Sequence, residues 1–153
     1  MKKFLNERLM KPIRDQLTQG IDPKSLAKTC AAGVSIAILP VIGATTALCV
    51  FVGIRFKLNQ PILQAINYVL YPLQLLLLPL FLFWGAKLTG AEMISFDPKT
   101  ISTEFLQSPT LFLGRYGMAG LHAVLIWIIL VPFLFKFIEW VAYRVIKSKA
   151  AAS

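Results

Sequence analysis

Three long stretches of this chain carry no charged residue: 29–54, 58–86 and 116–135, of 26, 29 and 20 residues. About 20 apolar residues are enough to cross a bilayer as one helix. The first run is longer than one crossing needs. As a single helix it would extend about 39 Å at about 1.5 Å per residue, against a hydrocarbon core of roughly 30 Å. It is broken at its middle by Leu39-Pro40-Val41-Ile42-Gly43. Pro40 removes a backbone donor, and Gly43 permits a sharp turn. Each half is too short to span alone but suits a re-entrant hairpin. Small residues at i and i+4 (Gly33/Ala37, Gly43/Ala47, Cys49/Gly53) let the helices approach closely. The second run holds Pro61, Pro72 and Pro79, and Asn59-Gln60-Pro61 reads as a helix start. It is read as one span over 58–86, ended by the interfacial anchors Trp84 and Lys87. A split at Pro72 is the main structural rival. The third run predicts a span over 116–138, with Pro132 inside it.

The flanks are polar. In residues 1–28, Leu5, Leu9, Ile13 and Leu17 recur every fourth position and draw one apolar stripe. With seven basic residues around it, that stripe predicts an amphipathic helix on the membrane surface, although Pro12 interrupts the pattern. The 88–115 segment is mixed and is read as an external loop, with a short amphipathic helix from about 98 to 107 carrying Ile101 and Phe105. Residues 148–153 form a tail.

Composition then sharpens the class. The chain has 153 residues, 57% hydrophobic and 15% charged, where a soluble domain carries about 45–50% and about 25%. That points to an all-α integral membrane protein. Residues 1–28 are too long for the basic region of a cleaved signal, so the whole chain is taken as mature. Cys30 and Cys49 both lie in the first apolar run and read as buried packing residues rather than a disulfide framework. The only histidine, His122, is distant in sequence, so no metal is expected. Sixteen Lys and Arg against seven Asp and Glu leave a net charge of +9. The basic residues number seven before the first run, two between the first and second, three between the second and third and four after the third. The three between the second and third runs, Lys87, Lys99 and Arg115, are balanced by Glu92, Asp97 and Glu104. Cytoplasmic flanks are rich in Lys and Arg. If the first run enters and leaves on one side, thirteen basic residues face the cytoplasm with both termini. The excess is then an orientation signal, and nucleic acid is not an expected partner.

Several positions could carry chemistry. Gln60, Gln64, Asn67, Tyr71 and Gln74 follow spacings of 4, 3, 4 and 3, one stripe along the second run. In lipid such groups turn inward, toward a substrate or toward other helices. Arg55 and Lys57 stand where the hairpin exits, just before Asn59. Cations there could bind a phosphate or simply anchor the chain at the interface. Headgroup or substrate candidates are therefore Arg55, Lys57, Asn59, Gln64, Asn67 and Gln74, with Pro40 and Gly43 at the hairpin turn. His122 is an intramembrane ionisable group, or a neutral histidine bonded to a neighbour. The sequence shows no phosphate-binding loop and no paired-cysteine, zinc-protease or nucleophile-elbow motif, and the uncharged runs hold no carboxylate. Neither an enzyme nor a cofactor is expected.

Gly33-x6-Pro40-x2-Gly43-x-Thr45-Thr46, then Leu58-Asn59-Gln60-Pro61, then Tyr71-Pro72 and Gly85, resembles the small bacterial membrane family catalogued as domain of unknown function twenty-sixty-two. The resemblance covers roughly residues 25–90 and continues more loosely through the third run. It implies a multi-pass protein of the bacterial cytoplasmic membrane. Members are sometimes joined to glycosyltransferase domains, which implies a link with envelope lipids or lipid-linked glycans. Two readings follow. One is a protein that binds or translocates a phosphorylated envelope lipid, polyprenyl phosphate or phospholipid. The other is a non-catalytic assembly subunit. A thin core of one hairpin and two spans predicts a homo-oligomer or a partner membrane protein.

Overall fold

The computed structural model describes residues 22–94 and 97–150, and their regular structure is all helix, with no strand among them. Six helices follow in order: α1 Pro23–Ala37, α2 Ala44–Arg55, α3 Gln60–Val69, α4 Tyr71–Thr89, α5 Pro98–Gln107 and α6 Pro109–Ala150. The amphipathic helix expected within residues 1–28 falls largely on residues outside the described ones.

Three helices start by one device, an acceptor side chain followed by proline in the first turn. Asp22 accepts from the backbone N–H groups of Lys24 and Ser25, both at 3.2 Å. Asn59 Oδ1 accepts from Ile62 N–H at 3.2 Å. Asp97 accepts from Thr100 N–H at 3.0 Å. The turn at Pro40 is present: α1 stops at Ala37, residues 38–43 turn, and Gly43 takes φ 86° before α2 begins. Gly90 closes α4 with φ 68°, and Ala91 N–H bonds back to the Ala86 carbonyl at 3.0 Å.

The uncharged runs do not map one to one onto helices. The run 58–86 is interrupted at Leu70 (φ −88°, ψ 0°), so α3 and α4 replace the single expected span. Pro72 stands just past the interruption and has no N–H to offer the carbonyl of Tyr68. Bonds from Leu70 N–H to Ile66 and from Gln74 N–H to Leu70 still bridge the interruption. The third helix is much longer than 116–138, running 42 residues through Pro132. It absorbs the end of the supposed external loop and all but the last residues of the chain. α5 fills 98–107, as the sequence pattern implies.

The core lies around α1, the helix richest in small residues. Ten of its residues are buried, among them Ala27, Ala31, Ala32, Gly33 and Ala37. Leu26, Ala27 and Cys30 pack with Ile62, Ile66 and Ile146. Ala32 and Ile36 pack with Cys49 and Leu63. Ile38 packs with Phe81 and Ala123. α6 runs back along α1, with Ile146 beside the start of α1 and the Trp127 Nε1–H donating to the Ser35 carbonyl at 2.9 Å. Gly85 lets α4 meet α6 backbone to backbone: a Cβ there would stand 2.7 Å from the His122 carbonyl carbon.

Many other large apolar side chains point outward. Ile54, Leu76 and Phe133 are 70%, 72% and 75% exposed. α4 and α6 are the two helices long and apolar enough to cross a membrane. Their apolar windows are only 22% and 6% buried, so neither behaves as the core helix of a water-soluble domain.

Candidate functional site

The polar stripe ends inside the molecule. Gln60 Nε2 donates to the Val50 carbonyl at 2.9 Å, and Gln64 Nε2 to the Thr46 carbonyl at 3.3 Å. Asn67 Nδ2 reaches Thr46 Oγ1 at 3.4 Å. Gln74, 2% exposed, donates through Nε2 to the carbonyls of Leu39 at 2.7 Å and Val41 at 3.4 Å. Three of these amides seam α3 to α2. The fourth reaches from α4 to the hairpin turn, where α1 has ended and the Leu39 and Val41 carbonyls lack helical donors. Tyr71 leaves the stripe and is exposed. Two acceptor atoms of the seam, Gln64 Oε1 and Gln74 Oε1, are buried and have no partner, as are Ser35 Oγ and His122 Nδ1.

Asn59 is a helix cap rather than a free ligand group. Its side chain starts α3, and its N–H donates to Thr29 Oγ1 at 3.3 Å. That bond ties the exit of the hairpin to the first turns of α1.

Arg55 and Lys57 are different. Both are exposed, and no acidic residue pairs with them among the described residues. The Arg55 guanidinium lies 5.5 Å from the Phe56 ring centroid. Phe51, Ile54 and Phe56 stand exposed beside them. α2 ends here in a Schellman turn: Leu58 N–H bonds to the Gly53 carbonyl at 2.9 Å, and Lys57 N–H to the Ile54 carbonyl at 3.4 Å. Lys57 sits at φ 52°, the one non-glycine residue with positive φ among the described residues.

Cations far apart in sequence meet at this end. Thr29–Asn59 joins α1 to the hairpin exit, and Ile146 packs on Leu26, Ala27 and Cys30. Lys24, Lys28, Arg55, Lys57, Arg144 and Lys147 therefore share one end of the bundle. The acids near it are committed elsewhere, Asp22 to its cap and Glu139 to Lys136 at 3.1 Å. At the opposite end Arg115 bonds Glu92 and Glu104, both at 3.2 Å, and holds α5 against α6 beside the stacked rings of Phe112 and Tyr116. Each end carries cations over aromatic rings, Lys87 over Trp84 at 5.0 Å and Arg144 over Trp140 at 4.7 Å.

A family model matches residues 2–147, almost the entire chain. The chain belongs to DUF2062, described as an uncharacterized protein conserved in bacteria. The resemblance carried by Pro40, Gly43, Asn59 and Gly85 thus extends well beyond 25–90. No curated protein and no solved structure matches.

Sequence reasoning missed the hydroxyls of Thr29 and Thr46, which accept from Asn59 and Asn67, and the Ser35 carbonyl, which accepts from Trp127. For Thr29 a hydroxyl on an alanine-rich helix was the available signal. It also missed the left-handed backbone of Lys57, which no local pattern announces.

Proposed function

We propose that this DUF2062 member is a multi-pass protein of the bacterial cytoplasmic membrane that binds a phosphorylated lipid at the base of its hairpin. The observation that carries the reading is the pair Arg55 and Lys57, exposed and without acidic partners, beside exposed Phe51, Ile54 and Phe56. A cation pair next to apolar side chains fits an amphiphile, with phosphate on the guanidinium and ammonium and acyl or prenyl chains on the rings. The bound species would be polyprenyl phosphate or an acidic phospholipid, and no catalytic step or cofactor is part of the proposal.

Membrane placement follows from the aromatic–cation pairs. Trp84 is level with His122 through Gly85, and Trp140 lies eighteen residues further along α6. That separation is about 27 Å at about 1.5 Å per residue, close to the roughly 30 Å hydrocarbon core. The six-cation end then faces the cytoplasm. The hairpin of α1 and α2 enters from that side and returns to it. Its carbonyls at the turn are tolerable in the membrane because Gln74 covers them.

Nanodiscs with defined lipids, analysed by native mass spectrometry, test the binding. Wild type should retain phosphatidic acid or polyprenyl phosphate over phosphatidylcholine, and Arg55→Ala/Lys57→Ala should lose that preference. Equal retention of charged and zwitterionic lipid by wild type sinks the reading.

A second reading, an assembly subunit, is favoured by Gly114, Gly117 and Gly120. They recur every third residue on α6, and a Cβ at any of them would meet nothing within 4 Å. Such a face suits another membrane helix, of a second copy or of a partner protein. Gly117→Leu should then shift the oligomeric mass in detergent.

A further inference from the structure

We propose that Lys57 is the specificity-determining cation of this site, held rigid in a backbone conformation that a lysine occupies at a cost to the fold. The proposal rests on the lipid-binding reading and adds a role for one residue within it.

The chain builds the same helix ending twice. After α4 the left-handed position is Gly90, φ 68°, with Ala91 N–H returning to Ala86. After α2 the left-handed position is Lys57, φ 52°, with Leu58 N–H returning to Gly53. Glycine is the residue this position favours, because any Cβ crowds the neighbouring carbonyl. The apolar half of the motif is also in place, since Leu58 packs onto the cluster of Cys49 and Leu63 with Val52. Everything about the turn asks for glycine except the side chain itself.

That side chain does nothing visible for the fold. It is exposed, makes no ion pair among the described residues, and lies over no ring described there. Its charge does lie near the carbonyl end of α2, which favours a cation weakly. Arg55 already occupies the last turn for that purpose. A strained residue with an unengaged charge is a pointer to a ligand. Two hydrogen bonds fix the backbone at Lys57, so its side chain starts from a set Cα–Cβ direction rather than from a sweeping loop. The ligand class is a lipid phosphomonoester. A lysine ammonium acts as a compact point charge. It gains most from a headgroup with a second negative charge, which phosphatidylcholine lacks.

Two substitutions separate strain from charge. Lys57→Gly removes both, and Lys57→Gln removes only the charge. In detergent without added lipid, Lys57→Gly should raise Tm by about 3 °C while Lys57→Gln leaves it level or slightly lower. In nanodiscs containing phosphatidic acid and phosphatidylcholine, both variants should lose about tenfold in phosphatidic acid preference. Millimolar inorganic phosphate should not displace the lipid. A fall in Tm for Lys57→Gly overturns the strain argument. A Tm rise with unchanged lipid preference in both variants overturns the role of Lys57. Displacement by inorganic phosphate overturns the lipid in favour of a free anion. Absence of any acidic-lipid preference in wild type is a failure of the underlying reading, visible before either variant is compared.

Discussion

Gly85 shows how one residue sets the spacing of two helices. Its missing side chain lets α4 lie on the backbone of His122 and Ala123, where a Cβ would stand within 2.8 Å of the Ala123 nitrogen. Gly85→Val forces the helices apart and should cost about 1–3 kcal/mol in thermal unfolding in detergent. Gly114→Val, whose Cβ meets nothing, should leave the transition nearly unchanged. Gln74 poses the complementary case. Gln74→Leu strips the side-chain donor from the Leu39 and Val41 carbonyls, leaving the Leu39 carbonyl only the Val41 N–H at 2.8 Å, and should cost about 1 kcal/mol. A cysteine placed at Ile42 should then react faster with maleimide. Gln64→Leu should be milder, because its acceptor, the Thr46 carbonyl, already lies within the regular ladder of α2. Greater loss from Gln64→Leu than from Gln74→Leu would overturn this ranking.

Helix starts were legible because their chemistry is local. Asn59-Gln60-Pro61 begins a helix where the sequence places one, and Asp22-Pro23 and Asp97-Pro98 begin helices by the same acceptor-and-proline form. Helix α5 depends on such a cap. The Thr100 backbone N–H, followed by its hydroxyl, holds the Asp97 carboxyl below the usual carboxylate range. A depressed carboxyl stabilises the folded form above its unfolded pKa and loses that effect as pH falls through the folded value. Amide protection in α5 should therefore be level from neutral pH to about 5 and decline only below about 4. Asp97→Ala should abolish the protection at every pH, as read by hydrogen exchange. Element ends inside apolar runs were less legible. Pro72 and Pro79 look alike in sequence, yet only Pro72 coincides with an interruption, while Pro79 lies within α4. Pro132 likewise lies within α6, so a proline's missing N–H does not by itself divide a helix.

At the scale of the molecule, a central helix rich in Ala, Gly and Ser is packed by a few large residues such as Ile62, Leu63 and Phe81, while many other Leu, Ile and Phe side chains of the surrounding helices face away. This arrangement is stable where the surroundings are apolar, since a bilayer has no hydrophobic reason to bury leucine. The proposed topology makes a clear demand. With Cys30 and Cys49 replaced by alanine, single cysteines at Gly20, Phe56, Thr100 and Ala150 should react with a membrane-impermeant maleimide in a split pattern. Thr100→Cys should label in intact cells, and the other three only after permeabilisation. Labelling of Phe56→Cys from outside would mean that the hairpin crosses rather than returns.

The sequence alone determined the all-helical class, the apolar runs that hold the two candidate spans, the turn at Pro40–Gly43 and the family, because each rests on composition or on residues close together in the chain. It also marked the polar stripe, since a spacing of three and four places those groups on one helix face whatever that face meets. Tertiary structure decided what the face meets. Gln60, Gln64 and Asn67 bond to α2, Gln74 bonds to the hairpin turn, and Asn59 becomes a cap, so most of the candidate site is a seam. Arg55 and Lys57 stay outside that seam. Their place beside Lys24, Lys28, Arg144 and Lys147 depends on α6 folding back along α1. Contacts between residues more than a hundred positions apart, such as Leu26 and Ile146, come from packing and have no local signature in the chain.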